Sequence, residues 1–230
     1  MTDTEADPAT ALLDATVMHV PFDGWSETAF KAAIEDTGVD PTVARGLYPR
    51  GAIDLAAAFH RKGDDLMIAA YGKEDTDTLR FREKVALMVR LRLEAVEDKE
   101  AVRRGATLFA LPMHAAEGSK LIWGTADRIW TALGDTSRDI NWYTKRATLS
   151  GVYSSTVLYW LGDDSLDHQA TWSFLDRRID NVMKIEEVKA RARKAPGLGP
   201  VVSQAEKLMS RIKAPSPRRD DLPGGWTVPR

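Results

Sequence analysis

The sequence predicts an all-α protein, and three observations carry that prediction. Apolar residues recur at helical spacing in almost every segment, no stretch alternates like a half-buried strand, and cap and breaker residues fall where the stripes end. The 230 residues are 43% hydrophobic and 29% charged, a globular composition that allows one large domain or two small ones.

Asp7-Pro8 opens a short helix through Ala11–Met18. Gly24-Trp25 turns the chain, and Ser26 caps a helix through Ile34 that Thr37-Gly38 ends. Asp40-Pro41 starts a short helix to Tyr48, which Pro49 stops. A further helix runs from Gly51 to Tyr71 and closes at Gly72. Leu79, Ala86, Val89 and Leu93 form the next stripe. Residues 101–113 are rich in large apolar side chains, and residues 119–133 place Ile122, Ala126, Ile129 and Leu133 on one face. Trp123 and Trp130, seven apart, share nearly one side. Gly134-Asp135-Thr136-Ser137 is a turn and cap before a helix from Asp139 to Trp160, and residues 170–193 put Trp172, Leu175, Ile179 and Val182 inward. Ala195-Pro196-Gly197 is a hinge. Beyond it Leu198, Val201, Val202, Ala205, Leu208, Met209 and Ile212 make one apolar stripe, ended by Pro215 and Pro217, and residues 214–230 read as a disordered tail. The expected organisation is therefore an N-terminal unit at 1–72, a helical body at 73–195, a hinge and amphipathic helix at 196–213, and a tail at 214–230.

Composition removes several chemistries. Without cysteine there is no disulfide, thiolate zinc site, iron–sulfur ligation or cysteine nucleophile. His19, His60, His114 and His168 are widely spaced, and each reads as a packed or surface residue, so neither metal nor cofactor is expected. Asp163-Asp164 and Glu186-Glu187 read as solvated charges, and a carboxylate enzyme has no positive support. No apolar run reaches the roughly 18–20 residues of a membrane span. The opening MTDTEADPAT lacks secretory or mitochondrial targeting features, so a soluble protein made in a cytoplasm is expected. Charge is uneven: residues 1–72 carry 12 acids against 5 bases, and residues 176–230 carry 7 acids against 13 bases. A polyanion or anionic membrane would be repelled by the front and attracted to the tail.

The first 72 residues run helix, helix, short turn, helix, helix, and so resemble the N-terminal domain of TetR-type regulators. A groove-binding helix must neutralise phosphates, yet this one offers only Arg45 beside Asp40 in an acidic unit. A scaffold that does not read DNA is the preferred reading, and a ligand-sensing TetR-type transcription regulator is the alternative.

The segment GDTSRDINWYTKRATLSGVYSSTVLYW, Gly134 to Trp160, is the most distinctive. Adjacent Trp142 and Tyr143 lie about 100° apart on a helix, so a narrow stripe cannot easily bury both. Beside Asp139, Asn141, Lys145 and Arg146 they suit a protein-contact hot spot. With the following LGDDS and TWSFLDRRIDNVM, this segment is similar to the ninth Coq protein family of ubiquinone biosynthesis. The resemblance implies a TetR-like fold that does not regulate transcription and a pocket for isoprenoid quinone intermediates. It also implies presentation of the lipid to the di-iron demethoxyubiquinone hydroxylase, without catalysis by the protein itself. Asp139, Asn141, Trp142, Tyr143 and Arg146 would correspond to the partner-binding surface. The Leu198–Ile212 helix, with Lys207 and Arg211 on its polar side, would correspond to a membrane helix meeting anionic headgroups. Apolar spacing nominates Leu108, Leu111, Met113, Ile122, Trp130, Leu149, Val152 and Tyr153 for the lipid pocket, in a cavity expected among the helices of residues 101–160. The missing presequence points to a bacterial member, on the cytoplasmic face of the inner membrane, and TetR-like folds commonly form homodimers.

Overall fold

The computed structural model describes residues 7–96, 98–194 and 213–215. The hinge, the Leu198–Ile212 stripe and residues 216–230 lie outside the described residues. Among those described the chain is all-α, with nine α-helices and no strand.

Local chemistry sets the boundaries. Pro8 occupies the first turn of α1 (Pro8–Asp23), where its missing N–H costs nothing. Ser26 Oγ accepts from Ala29 N at 3.2 Å to start α2 (Glu27–Thr37), and Gly38 ends it in the left-handed region at φ +66°. Asp40 accepts from the N–H groups of Thr42 and Val43 at 2.8 and 3.2 Å, capping α3 (Pro41–Leu47). Those bonds hold its carboxyl below the usual range. α4 (Ala52–Tyr71) and α5 (Phe81–Glu94) follow. Asp98 caps α6 (Lys99–Ala110), and α7 (Ala115–Ala132) returns along it. α8 (Ile140–Leu161) starts at Asp139, which accepts from Asn141 N at 3.0 Å. A short 3-10 turn at Leu166–His168 leads into α9 (Gln169–Lys194).

Two apolar cores form. Leu12, Val20, Phe30, Ala44 and Leu55 pack the front core, which Ala101 joins from α6. Met67, Met88, Ile129, Leu149, Trp160 and Leu175 belong to the body core. α4 supplies both, with Leu55 in the first and Met67 in the second, about 18 Å apart along its axis. No described helix is long and apolar enough to cross a membrane.

One sequence expectation fails here for a clear reason. Asp163 is not a solvated turn charge: it is 6% exposed and its carboxylate accepts from Ser165 N and Thr171 N at 2.9 Å and from Thr171 Oγ1 at 2.5 Å. These bonds, Thr171 foremost, hold its carboxyl well below the usual range and fasten the start of α9 to the end of α8.

Two glycines permit close approach. A Cβ at Gly63 would lie 2.5 Å from Nη1 of Arg92, and one at Gly118 would lie 2.7 Å from Phe109 Cβ. By contrast, nothing lies within 4 Å of a Cβ at Gly124. In urea unfolding followed by circular dichroism, Gly63→Ala is expected to lose about 1–3 kcal/mol by overpacking. Gly124→Ala, in open space on α7, is expected to gain about 0.5–1 kcal/mol by restricting the unfolded chain.

Candidate functional site

The N-terminus of α8 builds an aromatic and charged patch. Trp142 and Tyr143 meet edge to face at 4.8 Å between centroids, and Trp123 of α7 stands 5.9 and 6.4 Å from them. Both α8 rings are half-buried, resting on one another and on α7. Tyr143 donates its hydroxyl to the Lys213 carbonyl at 3.3 Å, and Ala214 N donates to the Arg138 carbonyl at 3.0 Å. Asp139 serves as the helix cap, and Asn141 is exposed with its amide on Asp139 Oδ2 at 3.0 Å. Arg146 corrects the expectation of a surface residue, being only 2% exposed. Its Nε donates to Asp127 at 2.5 Å, its Nη1 to Asp135 at 3.0 Å, and its guanidinium covers the Trp142 ring at 4.1 Å. It supports the patch from beneath. Burial opposes the charge of Asp135, but bonds from Lys145, Ser137 and Arg146 outweigh it and hold that carboxyl well below its usual range.

Trp123 joins this patch while Trp130 does not. Seven residues bring two side chains back to one side but about 10 Å apart along the axis. Trp130 instead packs on Phe81 at 5.5 Å and under the Lys145 ammonium at 5.1 Å.

The larger hollow, about 330 Å³, lies between the front unit and the body. Its walls come from α4, α5, α6, α7 and α8, with Trp25 from the turn before α2. The walls thus extend beyond residues 101–160. Most of the lining is apolar, including Phe59, Leu93, Val102, Phe109, Ile122, Val157 and Trp160. Trp25 is fixed there by its indole N–H, which donates to the Ala101 carbonyl at 3.0 Å. Ala110, Ser119 and Leu158 line the hollow yet are exposed, Leu158 by 67%, so the mouth lies where α6, α7 and α8 meet.

The inner wall carries polar side chains: His60 of α4, Arg92 of α5 and Tyr153 of α8. Arg92 is 4% exposed. Its Nε donates to Asp64 Oδ1 at 2.6 Å and its Nη2 to the His60 carbonyl at 2.9 Å. Burial works against its charge, but the Asp64 carboxylate bonded to it restores it, and the net direction is upward. Burial pushes Asp64 upward, against the pull of Arg92. Thr125 of α7 donates to Asp64 Oδ1 at 2.9 Å, and its oxygen stands 2.9 Å from His60 Nε2. The Thr125 hydroxyl has acceptors in Asp64 Oδ1 and in the Leu121 carbonyl at 3.3 Å, so its contact with His60 is donated by Nε2–H, which leaves Nδ1 an acceptor. Burial, then the Arg92 charge, lowers the His60 pKa to about 3, so its ring is neutral.

The nominated pocket residues divide. Ile122 and Tyr153 line the larger hollow. Trp130, Leu149 and Val152 line a second one of about 230 Å³, with Phe81, Val85 and Ile179 between α5, α7, α8 and α9. Leu108 packs against the front core. Leu111 and Met113 line neither hollow: they stand in the α6–α7 turn, Met113 78% exposed, because the helix ends at Ala110 and the turn carries them outward. His60, Arg92, Phe59 and Trp25 were missed. Arg92 had a signal, since it sits one turn after the buried Met88 and next to Leu93 on the inward face.

An all-α bundle with a front helical unit and a hollow under it is the architecture of TetR-like proteins. The solved TetR transcriptional regulator from Nitrosomonas europaea superposes with a TM-score of 0.63 at 18% identity, covering 76% of this chain and 97% of that one. Residues 115–186, which hold the α8 patch, match the COQ9 family model. The Drosophila melanogaster ubiquinone biosynthesis protein COQ9, mitochondrial, is 33% identical over 183 residues, covering 76% of this chain and 55% of that protein. The probable ubiquinone biosynthesis protein coq9, mitochondrial, of Dictyostelium discoideum is 32% identical over 189 residues, covering 77% of this chain and 60% of its own length. The human COQ9 protein is 26% identical over 186 residues, covering 76% of this chain and 57% of that protein. The chain has a TetR-like fold and resembles the COQ9 proteins, and it spans a little over half the length of these relatives. The expected bacterial cytoplasmic location is overturned, because these relatives are named mitochondrial. It rested on how the sequence begins, which does not fix a compartment.

The neutral His60 makes stability pH-dependent. Its pKa falls from 6.5 to about 3 on folding, so between these values the unfolded chain binds the extra proton and stability rises with pH. Acidification from pH 7 to 5 is expected to cost about 2 kcal/mol through this group. His60→Gln, which keeps an N–H for Thr125, should flatten the urea-unfolding free energy over that interval by about one proton.

Proposed function

We propose that the chain acts in ubiquinone biosynthesis as a lipid-binding accessory protein. It carries isoprenoid quinone intermediates and presents them to the di-iron demethoxyubiquinone hydroxylase, with no bond-making of its own. The observation that carries this reading is the apolar hollow with a mouth at Leu158 in a chain that resembles the COQ9 proteins. Its volume lies at the low end of the roughly 300–1,000 Å³ of small-molecule sites. Apolar walls replace the bilayer environment that a greasy tail leaves, so transfer in and out costs little in either direction.

The α8 patch suits the docking of the hydroxylase. Trp142 and Tyr143 are large, partly exposed and stiffened by Arg146 and Trp123, as in residues that dominate contact energies. The amphipathic stripe from Leu198 to Ile212 would hold the carrier at an anionic membrane.

Gene regulation is the weaker reading, since a likeness at 18% identity speaks for fold alone. In the helix that would enter a DNA groove, Arg45 is paired with Glu27 and lies over the Phe30 ring at 4.8 Å. Its cap, Asp40, adds a negative charge.

Mass spectrometry of organic extracts of the purified protein should detect an isoprenoid lipid. Ala106→Trp, which fills the hollow, should remove it, and a chain that carries none in either form contradicts the proposal. Trp142→Ala should weaken hydroxylase capture at least tenfold, a loss of about 1.4 kcal/mol or more, with the melting temperature shifted by only a few degrees. A chain truncated before Leu198 should lose flotation with anionic vesicles.

A further inference from the structure

We propose that the inner wall formed by His60, Arg92 and Tyr153 reads an uncharged, oxygen-bearing ring, so that the amphiphile seats head-first with its tail leaving by the mouth, and that anionic amphiphiles are rejected. This rests on the carrier reading and adds the orientation and head-group class of its cargo.

The asymmetry of the hollow carries the argument. Its ionisable side chains, His60, Arg92 and Tyr153, stand together at the inner wall, while exposed Leu158, Ala110 and Ser119 mark the mouth. A tail-first amphiphile would press its apolar end on Arg92 and its neighbours, desolvating them with no hydrogen bond in return. Head-first insertion removes that penalty. The volume supports the same order, since about 330 Å³ accommodates a ring and only the beginning of a long tail.

Charge selects the class of head. The Arg92 cation is matched by Asp64 at 2.6 Å, so the pair brings no net charge. A carboxylate entering this wall would be a buried anion without a counter-charge, whereas a carbonyl, methoxy or phenol oxygen needs only hydrogen bonds. Those are on offer: guanidinium N–H groups donate, the His60 Nδ1 accepts, and the Tyr153 hydroxyl does either. The His60 and Tyr153 rings stand edge to face at 6.5 Å, and the Arg92 guanidinium lies 5.9 Å from the Tyr153 centroid. Burial keeps both the imidazole and the phenol neutral.

Isothermal titration of the full chain, stripped of lipid, tests this with two probes that share a tail: a decyl-substituted dimethoxybenzoquinone and decanoate. The quinone is expected to bind at least tenfold more tightly than decanoate. Tyr153→Phe and His60→Leu should each weaken the quinone about tenfold, the loss of one hydrogen bond to a buried partner. Asp64→Asn leaves Arg92 unmatched and should bring decanoate up to or beyond the quinone. Tyr153→Phe removes a single oxygen and keeps the ring, so it serves where Asp64→Asn fails to fold. Quinone binding that Tyr153→Phe and His60→Leu leave unchanged, or equal binding of decanoate by the unaltered chain, overturns the head-first assignment alone. Binding of neither probe by the unaltered chain overturns the carrier reading beneath it.

Discussion

The buried contact between Arg92 and Asp64 is the constraint around which the molecule is arranged. It ties α5 to α4, and through Thr125 it reaches α7, so three walls of the larger hollow share one ion pair. A guanidinium this deep is tolerated only when its partner and its hydrogen bonds come with it. Gly63 provides the room by lacking a side chain where Nη1 must pass. The arrangement is costly to break, since leaving one of the two charges alone costs about 3–5 kcal/mol. It also fixes the electrostatic character of the wall that a guest would meet.

The second constraint is α8, one helix with two tasks. Its first turn displays Trp142 and Tyr143, and about three turns further on Tyr153 enters the hollow. Arg146 lies between, bound to Asp127 and Asp135, and so sets how α8 leans on α7. A partner resting on the aromatic patch thus touches the same rigid rod that forms one side of the cavity.

Much of the fold was legible because the determinants are local. Ser26, Asp40 and Asp98 cap helices by short-range hydrogen bonds, and apolar stripes at helical spacing mark the inward faces. The α8 patch was legible too, because adjacent aromatics beside several charges are rare in plain helical sequence. Arg146 was misread, since its two acidic partners come from outside its own helix, and nothing within α8 announces them. The pocket was only half legible. Spacing says that Trp130, Leu149 and Val152 point inward, but not that they face a different hollow from Ile122 and Tyr153. Which space a side chain borders depends on how helices cross, and that is decided by distant partners such as Gly118 and Phe109.

That last contact has a mechanical consequence. At Gly118 the backbones of α6 and α7 are nearly in touch, and a hinge cannot open at a point already welded by packing. Elsewhere in the wall the charge pair clamps α4 against α5. Any swelling to admit a bulkier passenger is therefore channelled into the seam between α6 and α8, where small residues, Gly105, Ala106 and Ser154, form the walls. On the proposed carrier reading the container has one elastic side, and mutations that stiffen it would sort cargo by girth while leaving the rest of the vessel unchanged.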